Sequence, residues 1–577
     1  MTLILETEHH QILNENGHLL VTGGPGSGKT TIALAKASKF IEDHKLKKGQ
    51  KVLFLSFSKA AVARIAESAN LIQETELNSL LTIQTFHSFF WEVIKTHGYL
   101  LGIPKHMRVM SPHDEDSFRS GRDKDNTEWL EEQKYLLYSD GRICFDLFAE
   151  TALEILTKST VIRSLYAQKF PLIFIDEAQD TDSQQWNCIK LFAPDSQMVF
   201  LADLDQQIHD YRDDINPERI NDIITELEPK QVTLGSSNHR SGGTEITNFA
   251  RDVLNNTPRH GNYQGVSSLT YSPRGSESRD QRIRQCIGVI NERITRQLGR
   301  PPESIAILAT WGKGVKIISN ALRGGSNTQP EIAHKVQFDE TATYISSRLV
   351  AYLLEPQNTS NNLAEIAEAV DIMCSLYKAK GRQNEWQRYE RWSNELRDGT
   401  KPNRSGVVNE LEQIINTSRS LIYTGNPEKD WLMAKNLLSN ATSRAIKDFG
   451  KNAEFLMAFN RGGLIAKGLS RKWEDSKSYT DARIILDNAI TETQMVSEHK
   501  NQLGINVMTV HKSKGKEFDG VVIFQNEHSS PLVTRNDTAP HHRSRKLLLV
   551  ASTRAKHHVL FLKDVSNRCP IIQDYNF

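Results

Sequence analysis

Residues 19–33 read LLVTGGPGSGKTTIA. An apolar run leads into Gly23, four residues separate it from Gly28, and Lys29 and Thr30 follow directly. Glycine-rich backbone in such a turn can aim several N–H groups at one phosphate, and a helix starting there adds the field of its N-terminus. In the spacing G-x4-G-K-T the lysine reaches β- and γ-phosphate oxygens and the next hydroxyl binds Mg2+. Gly23, Gly24, Pro25, Gly26, Ser27, Gly28, Lys29, Thr30 and Thr31 are therefore expected to hold a nucleoside triphosphate, with Thr30 on the metal.

A second pattern, LIFIDEAQD over residues 172–180, ends an apolar run in two adjacent acids. Asp176 at the strand end suits Mg2+ coordination through water, and Glu177 beside it suits a base that orients the attacking water. Read together, the two patterns predict nucleotide hydrolysis. They do not say what the hydrolysis drives.

The elements that must carry these residues are legible as short runs rich in Leu, Ile, Val and Phe. His18–Val21, Val52–Phe57, Leu172–Asp176, Met198–Ala202, Ser304–Ala309, Asn506–Val510, Val521–Gln525 and Val559–Leu562 read as buried strands. Helical spacing fills the intervals; Ile283, Ile287, Ile290, Ile294 and Leu298 recur at three- and four-residue steps, and Pro301 and Pro302 stop that helix. A second α/β pattern starts near Ser267. The alternation predicts an α/β fold with mostly parallel sheets. Residues 97–165 and 351–499 are polar and helical, and read as insertions.

The 577 residues are 38% hydrophobic and 24% charged, which excludes a disordered chain and supplies several cores. Lys+Arg at 71 against Asp+Glu at 70 gives a net charge of +1, so no whole-molecule basic footprint exists, although a local basic groove is allowed. Cys144, Cys188, Cys286, Cys374 and Cys569 form no CxxC pair, which excludes zinc ribbons and iron–sulfur clusters and reads as free thiols. The start MTLILETEHH lacks the basic and apolar regions of a signal peptide, and no apolar run of about 20 residues occurs. A cytoplasmic protein with no membrane contact is expected.

The remaining motifs resemble the UvrD/Rep/PcrA family of superfamily 1 DNA helicases, nearly end to end and in the family's order. Val52–Ile65 looks like motif Ia, Thr85-Phe86-His87-Ser88 like the TFH motif, and Ile175–Asp180 like motif II. Leu201–Arg212 resembles motif III, Asn238-His239-Arg240-Ser241 the NYRS of motif IV, Thr509–Phe518 motif V, and Val550–Lys556 motif VI. The resemblance implies two RecA-like P-loop domains on parallel sheets, each with a mainly helical insertion. The first, 1A, would span 1–96 and 166–265 with insertion 1B at 97–165; the second, 2A, would span 266–350 and 500–577 with insertion 2B at 351–499. It also implies ATP and Mg2+ between them and 3′-to-5′ movement on single-stranded DNA, with 3′-tailed duplex as a further substrate and a monomer as the working form.

By the same resemblance, Arg240 and Arg554 hold the γ-phosphate across the cleft, Gln206 senses it, and Glu517 lies near the ribose. Phe57, Thr85, His87, His209, Tyr211 and His511 stand at DNA-contacting positions, and Lys512, Lys514 and Lys516 add phosphate attraction. The family reads adenine through an upstream glutamine, a basic residue after the P-loop threonine and the motif IV tyrosine. Here Gln11 lies closer to Lys29 than that glutamine would, leaving His9 or Glu8 as the counterpart by spacing. Thr31 and His239 occupy the other two positions. A relaxed base preference follows as an expectation. No nuclease domain or long tail is expected after motif VI, and the smaller 2B insertion makes translocation the firmer expectation than unwinding. The alternative is a nucleotide-gated DNA-sensing subunit that regulates a partner such as a nuclease, in a bacterial defence or repair complex. An RNA helicase is a third, weaker reading.

Overall fold

In this computed structural model the described residues are 7–44, 46–57, 61–62, 65–66, 69, 79–110, 112–119, 122, 126–203, 218–235, 241, 243–272, 276–324, 330–337, 341–356, 362–380, 382–403, 405–453, 463–495, 503–534, 537–566 and 568–576. Contacts divide the chain into two compact units. One comprises Met1–Ile94, Ala149–Phe338 and Ser497–Phe577; the other comprises Lys95–Phe148 and Asp339–Val496.

The first unit holds two six-stranded sheets. Strands β1 (Leu19–Thr22), β2 (Val52–Ser56), β3 (Leu81–Thr85), β6 (Leu172–Ile175), β7 (Gln197–Ala202) and β8 (Lys230–Thr233) form one, in the order β3-β2-β6-β7-β1-β8. The short strands β4 (Arg108–Val109) and β5 (Arg142–Ile143) pair separately, in the other unit. Strands β9 (Val266–Tyr271), β10 (Ser304–Ala309), β11 (His334–Gln337), β12 (Gly504–Thr509), β13 (Phe518–Phe524) and β14 (Ala555–Asp564) form the second large sheet, in the order β11-β12-β10-β13-β14-β9. Every pairing in both is parallel. Parallel sheets are covered on both faces, so their inner strands are apolar without alternation. β2, β6 and β13 are buried at every position.

Each sheet has its own core. Leu19, Val21, Ile32, Phe54, Phe174 and Leu201 centre the first; Ala306, Leu308, Met508, Val521, Ile523 and Phe561 centre the second. The helix Ile246–Asn255 belongs to the second: Phe249 meets Phe561 at 5.6 Å, Tyr263 at 5.2 Å and Tyr575 at 5.9 Å between ring centroids. Its residues lie inside the stretch 166–265 that the family resemblance assigns to the first domain, but its apolar face, Ile246, Phe249, Ala250 and Val253, packs in the second core. Similarly, residues 149–165 group with the sheets, whereas 95–148 group with the second unit. The helix Thr160–Lys169 is tied there by Tyr166, whose ring meets Phe89 edge-on at 5.8 Å.

The second unit is helical around Tyr352, Leu353, Val370, Met373, Leu411 and Leu438. Its partly buried arginines are matched by acids. Arg348 donates to Asp114 at 2.6 Å and faces Asp487 at 3.5 Å, Arg483 pairs with Glu355 at 2.7 Å, and Arg419 with Glu365 at 2.9 Å. All five cysteines are free and buried. Among the described residues no helix is long and apolar enough to cross a membrane.

Candidate functional site

The phosphate loop connects β1 to the helix Lys29–His44. Gly26 and Gly28 have φ of 78° and 86°, a region an L side chain rarely adopts, which lets successive N–H groups face inward. Pro25 and Ser27 are buried, and the Ser27 hydroxyl has no hydrogen-bond partner among the described residues. The Lys29 ammonium donates to the carbonyls of Gly23 and, at 3.1 Å, of Gly24, and lies 3.4 Å from the Asp203 carboxylate at the end of β7. A glycine-rich turn with a buried, unmatched hydroxyl and a lysine folded back over it fits a polyphosphate.

Asp176 follows β6. It is buried and accepts a hydrogen bond from Ser56 at 3.1 Å. Glu177 has φ of 55°, left-handed backbone in a non-glycine residue of the kind that concentrates at functional sites. Gln179 donates to its carboxylate at 2.6 Å. Burial alone would raise the Glu177 pKa. The charges of Lys514 and Lys29, the Gln179 bond and the Arg554 guanidinium outweigh it and hold the carboxyl below the usual range. Asp180 goes the other way: burial raises its pKa, with Lys514 opposing and Glu177 and Asp203 adding to the rise. Among the described residues no group of three or more His, Cys, Asp or Glu can hold a metal by itself. Asp176 and Thr30 fit the alternative arrangement, in which Mg2+ takes one or two protein groups and completes its shell with water and phosphate.

The second sheet supplies cations. Lys514, after the short helix Val510–Ser513 at the end of β12, binds Asp180 and lies 3.7 Å from Glu177. The sequence reading gave Lys514 to phosphate attraction; its ammonium instead meets the acids that follow β6. Arg554 is buried and donates to Val550 O at 3.0 Å and Lys516 O at 3.4 Å, while its own carbonyl accepts from Phe518 N at 2.9 Å. Those contacts bracket Glu517, which sits half-buried between Lys516 and Phe518. Burial lowers the Lys516 pKa to about 8.

Phe57, Thr85 and His87 come together. β2 and β3 pair with Ser56 opposite Thr85, so the three stand at neighbouring strand ends. The Phe57 ring lies 4.8 Å from Phe86, and Thr85 bonds Ser88 at 2.9 Å. His511 stands at the end of β12, in the other sheet, and its pKa is lowered by burial and then by Arg543 and Lys514. Gln11 and Thr31 are both exposed. Gln206, His209, Tyr211, His239 and Arg240 lie outside the described residues. Sequence reasoning missed Ser56, Asp203 and Arg251 as site neighbours. Asp203 had a signal, since it ends the apolar run of β7 just as Asp176 ends β6. Ser56 and Arg251 had none.

Two family descriptions match the chain: the UvrD/REP helicase N-terminal domain over residues 5–140 and 119–223, and the UvrD-like helicase C-terminal domain over 465–563. YjcD of Bacillus subtilis is 24% identical over 641 residues, covering 98% of this chain and 79% of its own. The ATP-dependent DNA helicase Rep of Buchnera aphidicola subsp. Schizaphis graminum is 21% identical over 623 residues, covering 95% and 91%. The ATP-dependent DNA helicase PcrA of Staphylococcus aureus is 21% identical over 295 residues, covering 44% and 40%.

Proposed function

We propose, on the premise that the chain belongs to the UvrD-like superfamily 1 helicases, that it hydrolyses ATP between its two parallel sheets and uses the cycle to move 3′-to-5′ along single-stranded DNA. The observation that carries the reading is the division of charge across the site. The first sheet holds the phosphate loop and ionised Glu177, and the second brings Lys514 and Arg554 against them.

Phosphoryl transfer needs positioning and charge stabilisation more than covalent help. The loop amides and Lys29 hold the β- and γ-phosphates, Lys29 exchanging its present bonds to Gly23 O and Gly24 O for phosphate oxygens. Glu177, kept ionised by its cationic neighbours, orients the attacking water and takes its proton. Arg554 and, by the family resemblance, Arg240 stabilise charge on the transferred group, and Gln206 senses it. Thr30 and Asp176 would hold Mg2+, which supplies further charge neutralisation. Glu517, beside Arg554, faces the ribose.

Single-stranded DNA bound without sequence preference needs backbone attraction and flat groups for its bases. Phe57, Thr85 and His87 on the first sheet and His511 on the second supply them, with His209 and Tyr211 from motif III. Closing and opening the two sheets around the nucleotide then alternates the grip on the strand. The helical unit, 95–148 with 339–496, is the counterpart of the 1B and 2B insertions. Exposed Gln11 and Thr31 leave the base loosely read, so other nucleoside triphosphates are accepted beside ATP.

The test is ATP hydrolysis with and without single-stranded DNA, with Lys29→Ala as control. Strong stimulation by DNA that the variant abolishes supports the motor. Hydrolysis that DNA leaves unchanged ends the reading. Strand displacement on 3′-tailed and 5′-tailed duplexes then decides polarity.

A further inference from the structure

The helix Ile246–Asn255 is anchored in the second sheet. Phe249 packs on Phe561, and Arg545 donates to Val253 O at 2.6 Å and to Asn256 Oδ1 at 2.8 Å. The same helix carries Arg251, half-buried, whose guanidinium lies over the phosphate loop of the first sheet. A methyl group on Gly24 would stand 2.7 Å from a terminal nitrogen of Arg251. No hydrogen bond, ion pair or ring contact engages that guanidinium among the described residues. Other partly buried arginines here are matched: Arg348 by Asp114 and Asp487, Arg419 by Glu365, Arg483 by Glu355.

A guanidinium stays ionised under all ordinary conditions, and a partly desolvated one without a counter-charge is unfavourable until an anion arrives. Its place defines the anion. Lys29 donates to Gly24 O at 3.1 Å, so two cations converge on one loop residue, one from each sheet. Among the acids that follow β6, Glu177 is acted on by Lys514 and Arg554 and Asp180 by Lys514.

We propose that Arg251 binds the terminal phosphate of the nucleoside triphosphate and, through its helix, reports to the second sheet whether that phosphate is present. The proposal rests on the ATPase reading and adds a cation outside the motif arginines Arg240 and Arg554. A planar fork that donates to two oxygens suits a terminal phosphate, and lysine reproduces only the charge.

The test uses the full chain, with Arg251→Ala and Arg251→Lys, and calorimetric titration with a non-hydrolysable ATP analogue, with ADP and with a single-stranded oligonucleotide. Arg251→Ala is expected to lose about tenfold to a hundredfold in affinity for the analogue, the range for a hydrogen bond between charged groups, with ADP binding nearly unchanged. Arg251→Lys should recover part of the loss. Equal losses for analogue and ADP would mean a structural role and overturn the proposal, as would wild-type affinity for both. A loss confined to the oligonucleotide would assign the guanidinium to a nucleic-acid phosphate and also overturn it. Lys29→Ala, titrated alongside, separates the two levels: if it binds the analogue as the wild type does, the ATP site itself is misread.

Discussion

The two large sheets each have six parallel strands, in different orders, and their facing ends carry opposite chemistry. The first presents Asp176, Glu177, Asp180 and Asp203 around a phosphate loop; the second presents Lys514, Arg554 and the Arg251 helix. The same architecture thus supplies a nucleotide holder on one side and a set of counter-charges on the other. The two halves depend on each other: Glu177 on the first is held ionised by Lys514 and Arg554 from the second together with Lys29 from its own side. A site divided in this way makes nucleotide chemistry depend on how the two halves meet.

The largest effect that sharpens this contrast is Glu177→Gln. It should lower kcat for ATP by about 10²–10⁴ while nucleotide binding persists, read by steady-state hydrolysis and by titration. Unchanged turnover would move the base elsewhere. Next is the cation that crosses between the halves. Lys514→Met leaves Asp180 buried and uncompensated and should cost about 3–5 kcal/mol in denaturant unfolding, with Asp180→Asn in the same chain recovering much of it. Without Lys514 the Glu177 pKa rises, so the acid limb of the hydrolysis profile should shift to higher pH; a profile that stays put would mean that the second sheet does not set the charge of Glu177.

A smaller effect belongs to the second sheet alone. His558 bonds Ser267 at 2.8 Å, and burial, then Arg293, lowers its pKa to about 4. Between pH 4 and about 6.5 the unfolded chain binds a proton that the folded chain refuses. The His558 contribution is therefore present above about 6.5 and lost as pH falls toward 4, by up to roughly 3 kcal/mol. His558→Gln should flatten that part of a stability profile; an unchanged slope would assign the acid sensitivity elsewhere. The smallest effect concerns the base. A nucleotide panel should show ATP preferred over GTP or dATP by less than about tenfold, or 1.4 kcal/mol, and a larger preference would restore a reading pocket.

What was legible in the sequence follows from where each strand lies. β1, β2, β6, β7, β10, β12, β13 and β14 are interior strands, and their apolar runs announce them within a residue or a few. The runs LTIQT, KQVT and HKVQ gave no such signal, and they are β3, β8 and β11, each at the edge of its sheet. An edge strand is covered less completely and tolerates polar residues, so β8 buries Val232 alone. β9, the remaining edge, showed only as a pattern starting near Ser267. The phosphate loop and the Asp176–Glu177 pair were legible because their chemistry is written in consecutive residues. The roles of Lys514 and Arg251 were not, because nothing in a local run says which cation reaches the opposite sheet. The helix Ile246–Asn255 was misassigned for the same reason: its sequence neighbours lead from the first sheet, while the side chains that cover it come from the far end of the chain.

The first sheet is complete once β8 has left the ribosome, but β9 pairs only with β14, nearly three hundred residues downstream. At about 5–20 residues per second, β9 and the Phe249 face wait roughly a quarter of a minute to a minute for Phe561 and Tyr575. The nucleotide-holding half can therefore fold before the half that answers it, which closes only once β14 has emerged and slides in beside β9.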